Sequence, residues 1–354
     1  MTTTIDGTNV STFAAGVTCT ALNGGQLGGR RNILYNGAMN VAQRSTSVTG
    51  IGADGNYKTM DRWTLGVNDP SEQLGRATQT QTADGPSGFA NCMKLDVTTA
   101  DTSLAASQSF GINQKIEGQD VQYLKKGTAD AEKATLSFYV KGTAATYIVE
   151  VRDDNSRFYS KTFNVTTSWN RIEMTIPADT TGAIDDDNTM GYQIIWWLQA
   201  GTDFTSGTLS TSWAASVNAN RMVGCGNLFS STSNELFFTG VQLELGDTAT
   251  PFEHRSYGTE LALCQRYYEI GGHANSQQFS GDVTNSNNYF ATIYFNTTKK
   301  AAPTIANANA NASSFGTGAS TAGAQSLNSF RNHRTSTASA VGSFGDTWTA
   351  TAEL

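Results

Sequence analysis

Hydrophobic and polar residues alternate along short runs through most of the chain, as they do in β-strands with one buried face. The clearest runs are 134–141, 146–152, 158–165, 170–176, 191–200 and 234–245. In the second run, Tyr147, Val149 and Val151 fall on one face of a strand. The alternation predicts that this face lies in a core, and that the opposite face, with Ile148, Glu150 and Arg152, meets solvent.

Turn-forming residues between the runs predict how the strands pair. The sequence DDNS at 153–156 predicts a hairpin between the strands on either side of it. The sequence TTSWN at 166–170 predicts a second hairpin with the next strand. A series of such strands over residues 32–256 predicts an all-β fold, a jelly-roll-like β-sandwich.

The segment 257–272 departs from this alternation. Leu261, Cys264 and Tyr268 recur at helical spacing with Tyr267 beside them, and two glycines end the run. This predicts a helix between two β-rich regions, which serves to connect them or to trimerise. The simpler alternative is that its apolar stripe packs on the sandwich.

The two ends of the chain are poor in large apolar residues. Residues 1–31 have short β-prone pieces around Ile5, Val10 and Phe13 among clustered glycines. They form either a solvated tail or an N-terminal arm that attaches to a neighbouring subunit or a larger assembly. Residues 273–354 contain the alternating run YFATIYFN and then a tract rich in Ala, Asn, Ser and Gly. They predict a small C-terminal β-domain that is completed by contacts with copies of itself.

Composition and charge exclude several classes of function. Charged residues are 15% of the 354 residues, while Gly occurs 35 times and Thr is abundant, which suits strands joined by turns. The net charge of −7 is unfavourable for holding a phosphate backbone, so we expect no nucleic-acid partner. The chain has no run of about 18 apolar residues and no signal-peptide pattern. We therefore expect no membrane insertion and no Sec-dependent export, with assembly in a cytoplasm.

Catalytic motifs are missing from the sequence. It contains no GxSxG, HExxH, Walker or GxGxxG pattern, so we predict a protein that is not an enzyme and needs no cofactor. Glycoside hydrolysis would require two carboxylates that face one cleft. Carboxylates occur together at Asp153/Asp154, Asp185/Asp186/Asp187 and Glu235/Glu244. Adjacency is no evidence of such a cleft, because sequence neighbours on a strand or turn point in different directions.

Asp185, Asp186 and Asp187 form a weak candidate Ca²⁺ site. Their oxygens could surround a cation, but the cluster lacks the alternate spacing and the glycine of an EF-hand loop. A solvated turn is the favoured interpretation. The four cysteines and three histidines are scattered without metal-ligand spacing, so we predict no metal.

Aromatic residues are the candidates for ligand binding. Trp196 and Trp197 are adjacent in a predicted strand, so one points into the core and the other reaches the opposite face. An outward tryptophan, with Tyr192 or Trp213 nearby, could stack on a sugar ring. The alternative is that a neighbouring element covers it.

Several motifs in order resemble those of bacteriophage tail-fibre and related virion structural proteins. The similar segments are NILYNGAMNVAQR at 32–44, YKTMDRW at 57–63, FTGVQLELG at 238–246, ATPFE at 249–253, ELALCQRYY at 260–268, KAAPT at 300–304 and WTATAEL at 348–354. Between Tyr57 and Asp61 this chain has one residue more than the corresponding segment of those proteins. In physical terms these motifs supply structural anchors, which we take to be Trp63, Arg62, Arg44, Phe252 and Tyr268.

The resemblance implies a virion protein with a sandwich like a carbohydrate-binding module, usually a homotrimer, on the tail or another appendage. Residues 1–31 would then bind other tail or adaptor proteins, and the distal β-domains would contact the host surface, with glycan as the expected receptor. One alternative is a head decoration or tail adaptor protein that binds only other virion proteins. A further alternative is a polysaccharide depolymerase.

Overall fold

A computed structural model describes residues 30–69, 74–272, 277–316, 318–323 and 325–354. These residues form two β-sandwiches joined by a short helix. The larger sandwich contains the strands β1 (Ser47–Ile51), β2 (Asn56–Tyr57), β3 (Thr64–Asn68), β4 (Arg76–Thr82), β5 (Cys92–Thr99), β6 (Ser109–Glu117), β7 (Ala134–Gly142), β8 (Ala145–Asp153), β9 (Arg157–Val165), β10 (Asn170–Ile176), β11 (Met190–Ala200), β12 (Ala214–Ala215) and β13 (Glu235–Leu245).

The strands of the larger sandwich form two antiparallel sheets. One has the order β1-β4-β5-β13-β7-β10 and the other the order β12-β9-β8-β11-β6-β3-β2. Aromatic rings from both sheets meet between them, with centroids 5.0 Å apart for Trp196 and Phe238 and 5.5 Å apart for Trp63 and Trp196. The predicted all-β fold with a jelly-roll-like sandwich is confirmed.

Of the two predicted hairpins, the first is confirmed and the second is wrong. β8 pairs with β9 from Ala145↔Val165 onward. β10, however, pairs with β7 in the other sheet, so residues 166–169 cross between the sheets. The crossing lets Met174 and Ile176 of β10 enter the same core that β9 lines from the opposite side. Because turn residues serve a hairpin and a crossover equally well, the local sequence did not distinguish them.

Both faces of β8 are buried at the middle of the strand. Tyr147, Val149 and Val151 lie in the main core as predicted, but Ile148 and Glu150 on the other face are fully buried and do not meet solvent, while Arg152 is half-buried. Residues 201–226, here called the cover segment, pass over this outer face and begin with the one-turn helix α1 (Thr202–Thr205). The prediction of a solvent-exposed face is therefore wrong, because a segment distant in sequence covers it.

The connecting helix is shorter than predicted. α2 (Tyr257–Gln265) begins after Ser256, whose Oγ accepts a hydrogen bond from the backbone N–H of Thr259. Tyr268 is not on the helix, because it starts a strand whose backbone pairs with the end of the chain. Short 3-10 helices occupy Gly118–Asp120, Gln122–Leu124, Asn218–Asn220 and Leu228–Ser230. No helix in the described part of the chain is long and apolar enough to cross a membrane.

The smaller sandwich starts inside the segment that was predicted as helical. Its strands are β14 (Tyr268–Gly271), β15 (Phe279–Val283), β16 (Asn288–Tyr294), β17 (Thr304–Ser313), β18 (Thr321–Gly323), β19 (Ser329–Thr335) and β20 (Ala340–Thr351). β20 pairs with β14 and β15 along one edge and with β17 along the other. The second sheet has the order β16-β19-β18. Phe344 and Trp348 of β20 contribute to the core between the sheets.

Candidate functional site

The residues that carry the sequence motifs converge on the junction between the two sandwiches. Arg62 is fully buried, and its guanidinium forms an ion pair with Glu353 near the end of the chain. Its Cζ lies 3.4 Å from the ring centroid of Tyr267. Arg44 Nη2 lies 2.9 Å from Glu353 Oε1, and Arg44 Cζ lies 3.6 Å from the ring centroid of Tyr268. One carboxylate and two aromatic rings therefore hold both arginines in place.

A second buried carboxylate reinforces the junction. Glu117 accepts hydrogen bonds of 2.7 Å from both Nε and Nη2 of Arg266, and another from the hydroxyl of Tyr267. Burial by itself would raise the pKa of Glu117, but these hydrogen bonds outweigh it and hold the pKa below its ordinary value. Because its charged groups pair with one another, the junction is suited to holding the sandwiches together.

Asp61 is the third buried carboxylate at the junction. It accepts a 3.1 Å hydrogen bond from the backbone N–H of Gln43, and its Oδ1 lies 3.5 Å from Arg44 Nη1. Desolvation nevertheless dominates and raises the pKa of Asp61 to about 6.

The predicted structural anchors occupy three places. Arg44, Arg62 and Tyr268 meet at the junction. Trp63 lies in the sandwich core, where its Nε1 donates a 2.9 Å hydrogen bond to the carbonyl of Asn36. Phe252 lies apart from both, with its ring centroid 5.0 Å from that of Phe89.

The candidate glycan-stacking residues are also separated. Trp196 is in the main core, and Trp197 lies on the opposite face of the same strand, as adjacency predicts. Tyr192 and Trp213 meet each other at the core edge, with ring centroids 5.9 Å apart. Trp213 is anchored there by a 2.8 Å hydrogen bond from its Nε1 to the carbonyl of Pro177. The four aromatic residues therefore do not form one platform.

Trp197 lines an open pocket on the outer face of the seven-stranded sheet. The pocket has a volume of about 350 Å³, and Phe204, Asn218 and Arg221 of the cover segment line it too. Trp197 pairs with Gly111, which in turn pairs with Gly66 on the next strand. A Cβ on Gly111 would lie 2.9 Å from Cε3 of Trp197. Glycine at this position therefore allows the indole to lie across the sheet.

These two glycines are the sequence signal that was missed. Each lies within a strand, Gly66 in β3 and Gly111 in β6, where glycine contributes no side chain and commonly marks the close approach of another group. Gly66 and Gly111 face each other beneath the ring of Trp197, whose Cη2 would lie 3.8 Å from a Cβ on Gly66. Their pairing could not be inferred from the sequence, because β3 and β6 are distant along the chain.

The polar groups around this pocket are firmly held. Arg221 donates two hydrogen bonds of 2.8 Å to the fully buried carboxylate of Glu150, and its Cζ lies 5.4 Å from the ring centroid of Trp197. The Nε1 of Trp197 is buried and has no hydrogen-bond partner among the described residues. The pocket thus combines an aromatic wall with the amide of Asn218 at its edge. Such a combination suits a small, mostly uncharged ring that also offers hydroxyl groups.

The candidate acidic residues serve local contacts. Asp187 accepts hydrogen bonds of 2.8 and 2.7 Å from the backbone N–H and the hydroxyl of Thr189, and these lower its pKa. Asp185 and Asp186 are exposed. Nowhere in the described ranges do three His, Cys, Asp or Glu side chains gather as metal ligands would. The other candidate carboxylates have local partners too: Asp153 pairs with Lys126, Glu235 pairs with Lys94, and Glu244 accepts a hydrogen bond from the backbone N–H of Thr250.

The residues predicted to attach the protein to a virion, Ile5, Val10 and Phe13, lie outside the described residues. Arg30 and Arg31, at the end of the predicted arm, bond to the larger sandwich. Arg30 Nη1 lies 3.1 Å from Asp120 Oδ1, and the N–H of Arg31 donates a 3.1 Å hydrogen bond to Glu253.

Carbohydrate-binding modules are among the solved structures that match part of this chain. A CBM4 module is 14% identical over 59% of this chain and 97% of that chain, with a TM-score of 0.28. The CBM22-1 xylan-binding domain of Paenibacillus barcinonensis Xyn10C is 12% identical over 57% of this chain and 95% of its own, with a TM-score of 0.27. TmCBM61, solved with β-1,4-galactotriose, is 14% identical over 61% of this chain and 99% of its own, also at 0.27. No protein-family model and no curated protein matches the chain.

Proposed function

We propose that this chain is a structural protein of a bacteriophage virion, a tail fibre or another appendage that contacts glycan on the host surface. It would be assembled in the host cytoplasm and anchored to other tail or adaptor proteins by its N-terminal arm. The observation that carries the proposal is the convergence of the resemblance motifs on one buried junction. Segments 32–44, 57–63, 260–268 and 348–354 are far apart in the sequence, yet Arg44, Arg62, Tyr267 and Glu353 from them are in contact. This contact supports treating the resemblance as one shared architecture.

The pocket beside Trp197 supports glycan contact without cleavage. Its lining contains two aromatic side chains, two amide side chains and a guanidinium, but no carboxylate. Glycoside hydrolysis normally needs two carboxylates at the scissile bond, so this pocket is suited to binding a sugar and not to breaking it.

The outer face of the larger sheet of the smaller sandwich supports association with copies of the chain. Ile270 and Val341 on this face are 45% and 69% exposed. The neighbouring outward residues of β20 include Ser343, Thr347 and Thr349, which are small and uncharged. A face of this composition is suited to packing against other copies of the chain. A homotrimer would repeat each weak glycan site three times and gain avidity.

The assembly part of the proposal is tested by light scattering and by deletion. We expect a trimer from multi-angle light scattering of the full chain at micromolar concentration, and a monomer would overturn it. Deletion of residues 1–29 leaves Arg30 and Arg31 in place. We expect that variant to be lost from virions but still to adsorb to host cells as free protein. A decoration or adaptor role would be favoured instead if the deletion variant is lost from virions and the full-length protein does not adsorb to host cells.

The glycan part is tested at the pocket. We expect Trp197→Ala and Asn218→Ala to lower adsorption to host cells, while the control Trp169→Ala, at the crossover between the sheets, leaves it unchanged. Thermal unfolding identifies any variant that fails to fold. Release of oligosaccharide from host capsule or lipopolysaccharide by the wild-type chain would favour a depolymerase instead.

A further inference from the structure

β16 presents aromatic side chains to solvent. In the run YFATIYFN, aromatic residues lie on both faces of the strand. Whichever face packs into the core, the other face therefore exposes aromatic rings. Ala291 packs into the core, and Phe290 and Tyr294 on the opposite face are 47% and 75% exposed. They are four residues apart, a separation of about 13 Å along a strand.

A guanidinium and an imidazole stand beside these rings. β19 pairs with β16 so that His333 lies opposite Phe290 and Arg331 opposite Thr292. Arg331 Cζ is 4.5 Å from the ring centroid of Phe290, and the ring of His333 is 5.7 Å away. In the described ranges no carboxylate forms an ion pair with Arg331. We call the surface made by Phe290, Thr292, Tyr294, Arg331 and His333 the aromatic face.

We propose that the aromatic face binds an acidic glycan, a sugar chain that carries carboxylates. The exposed rings offer flat surfaces to the C–H side of sugar rings, and the exposed guanidinium of Arg331 can pair with a carboxylate. No outward residue of β16, β18 or β19 is acidic, although the chain as a whole has a net charge of −7. The face is therefore locally complementary to a negative ligand. This inference rests on the proposed glycan contact, and it adds a second surface with its own class of sugar.

The test compares two sugars that differ in charge. Titration calorimetry of the full chain is carried out with trigalacturonic acid and with neutral galactotriose, at low and at high salt. We expect the acid to bind about tenfold more tightly or better, and this preference to decrease at high salt because the face is exposed. Arg331→Ala should remove the preference, and Arg331→Lys should restore part of it. Tyr294→Ala should weaken the binding of both sugars by about tenfold. Lys133→Ala, which removes an exposed cation elsewhere, should change the affinity for neither sugar.

Several results would overturn the inference. Equal affinity for the two sugars would do so, as would an Arg331→Ala variant that is folded and binds the acid normally. If Trp197→Ala abolishes acid binding while Arg331→Ala does not, the acid binds in the pocket, and the proposed glycan contact stands without this second surface. A change from trimer to monomer in the double variant Phe290→Ser, Tyr294→Ser would identify the face as a contact between copies. Failure of the wild-type chain to adsorb to host cells would instead count against the proposed function itself.

Discussion

Arg62 and Tyr267 form the closest cation–π contact of the junction, with the guanidinium carbon 3.4 Å from the ring centroid. Arg62 belongs to the larger sandwich, and Tyr267 follows the helix that leads to the smaller one. The backbone of Arg62 has φ of +70°, a conformation that few residues other than glycine adopt. The contacts of its side chain with Tyr267 and Glu353 offset this strain and fix the two sandwiches to each other.

Replacing Arg62 should strongly destabilise the protein. Arg62→Met leaves the largely buried carboxylate of Glu353 with fewer partners, and we expect the free energy of unfolding to fall by about 3–5 kcal/mol. Urea denaturation measures this loss. The control is Lys133→Met, because Lys133 and Asp247 form an exposed pair 3.3 Å apart and its loss should cost at most about 1 kcal/mol. Equal effects of the two substitutions would contradict the structural role of the junction.

Glu117 should make the free energy of unfolding depend on pH in the acid range. Its pKa in the folded protein is below the ordinary value of 4.5, so its contribution is present above 4.5 and is lost as the pH falls through the lower folded value. We expect the difference in free energy of unfolding between wild type and Glu117→Gln to be largest at neutral pH and to shrink in acid. Urea denaturation at a series of pH values measures it. A difference that stays constant would show that Glu117 does not titrate in this way.

Gly37 in the first motif should not tolerate a side chain. A Cβ at this position would lie 2.1 Å from the carbonyl oxygen of Val241, which cannot move without disturbing β13. We expect Gly37→Ala to cost about 1–3 kcal/mol in thermal or urea unfolding. Gly258 in α2 is the matched control, because no atom approaches its Cβ position. Gly258→Ala should stabilise the protein by up to about 1 kcal/mol through helix propensity. Destabilisation by both would point to a different cause.

Arg221 should hold the cover segment on the sheet. Arg221→Ala would leave the fully buried carboxylate of Glu150 without its two hydrogen bonds, at a cost of about 3–5 kcal/mol. We expect faster cleavage by chymotrypsin at Phe204 as the segment loosens. Lys94→Ala, which removes a cation from a partly exposed pair with Glu235, should leave the cleavage rate unchanged. If neither variant is cleaved faster, the cover segment is held by its apolar contacts alone.

Local sequence patterns were enough to predict several strands and the all-β fold class. Alternation placed Tyr147, Val149 and Val151 in the core, and the turn after them produced the β8–β9 hairpin, because both features depend on neighbouring residues. Adjacency also placed Trp196 and Trp197 on opposite faces of β11. The motifs identified Arg44, Arg62 and Tyr268 as structural anchors, and the two arginines as groups able to hold carboxylates or backbone carbonyls, without indicating that Glu353 is the partner.

Features that depend on distant segments could not be predicted from local patterns. The crossing at 166–169, the burial of Glu150 and the end of α2 at Gln265 each follow from pairing or packing with residues elsewhere in the chain. The same holds for the pocket beside Trp197, which needs glycines from two other strands and a cover segment. Arg44 and Arg62 pair with Glu353, which is distant in the sequence, only after folding has brought these segments together. A charged side chain is stable in a buried position only when it has such a partner.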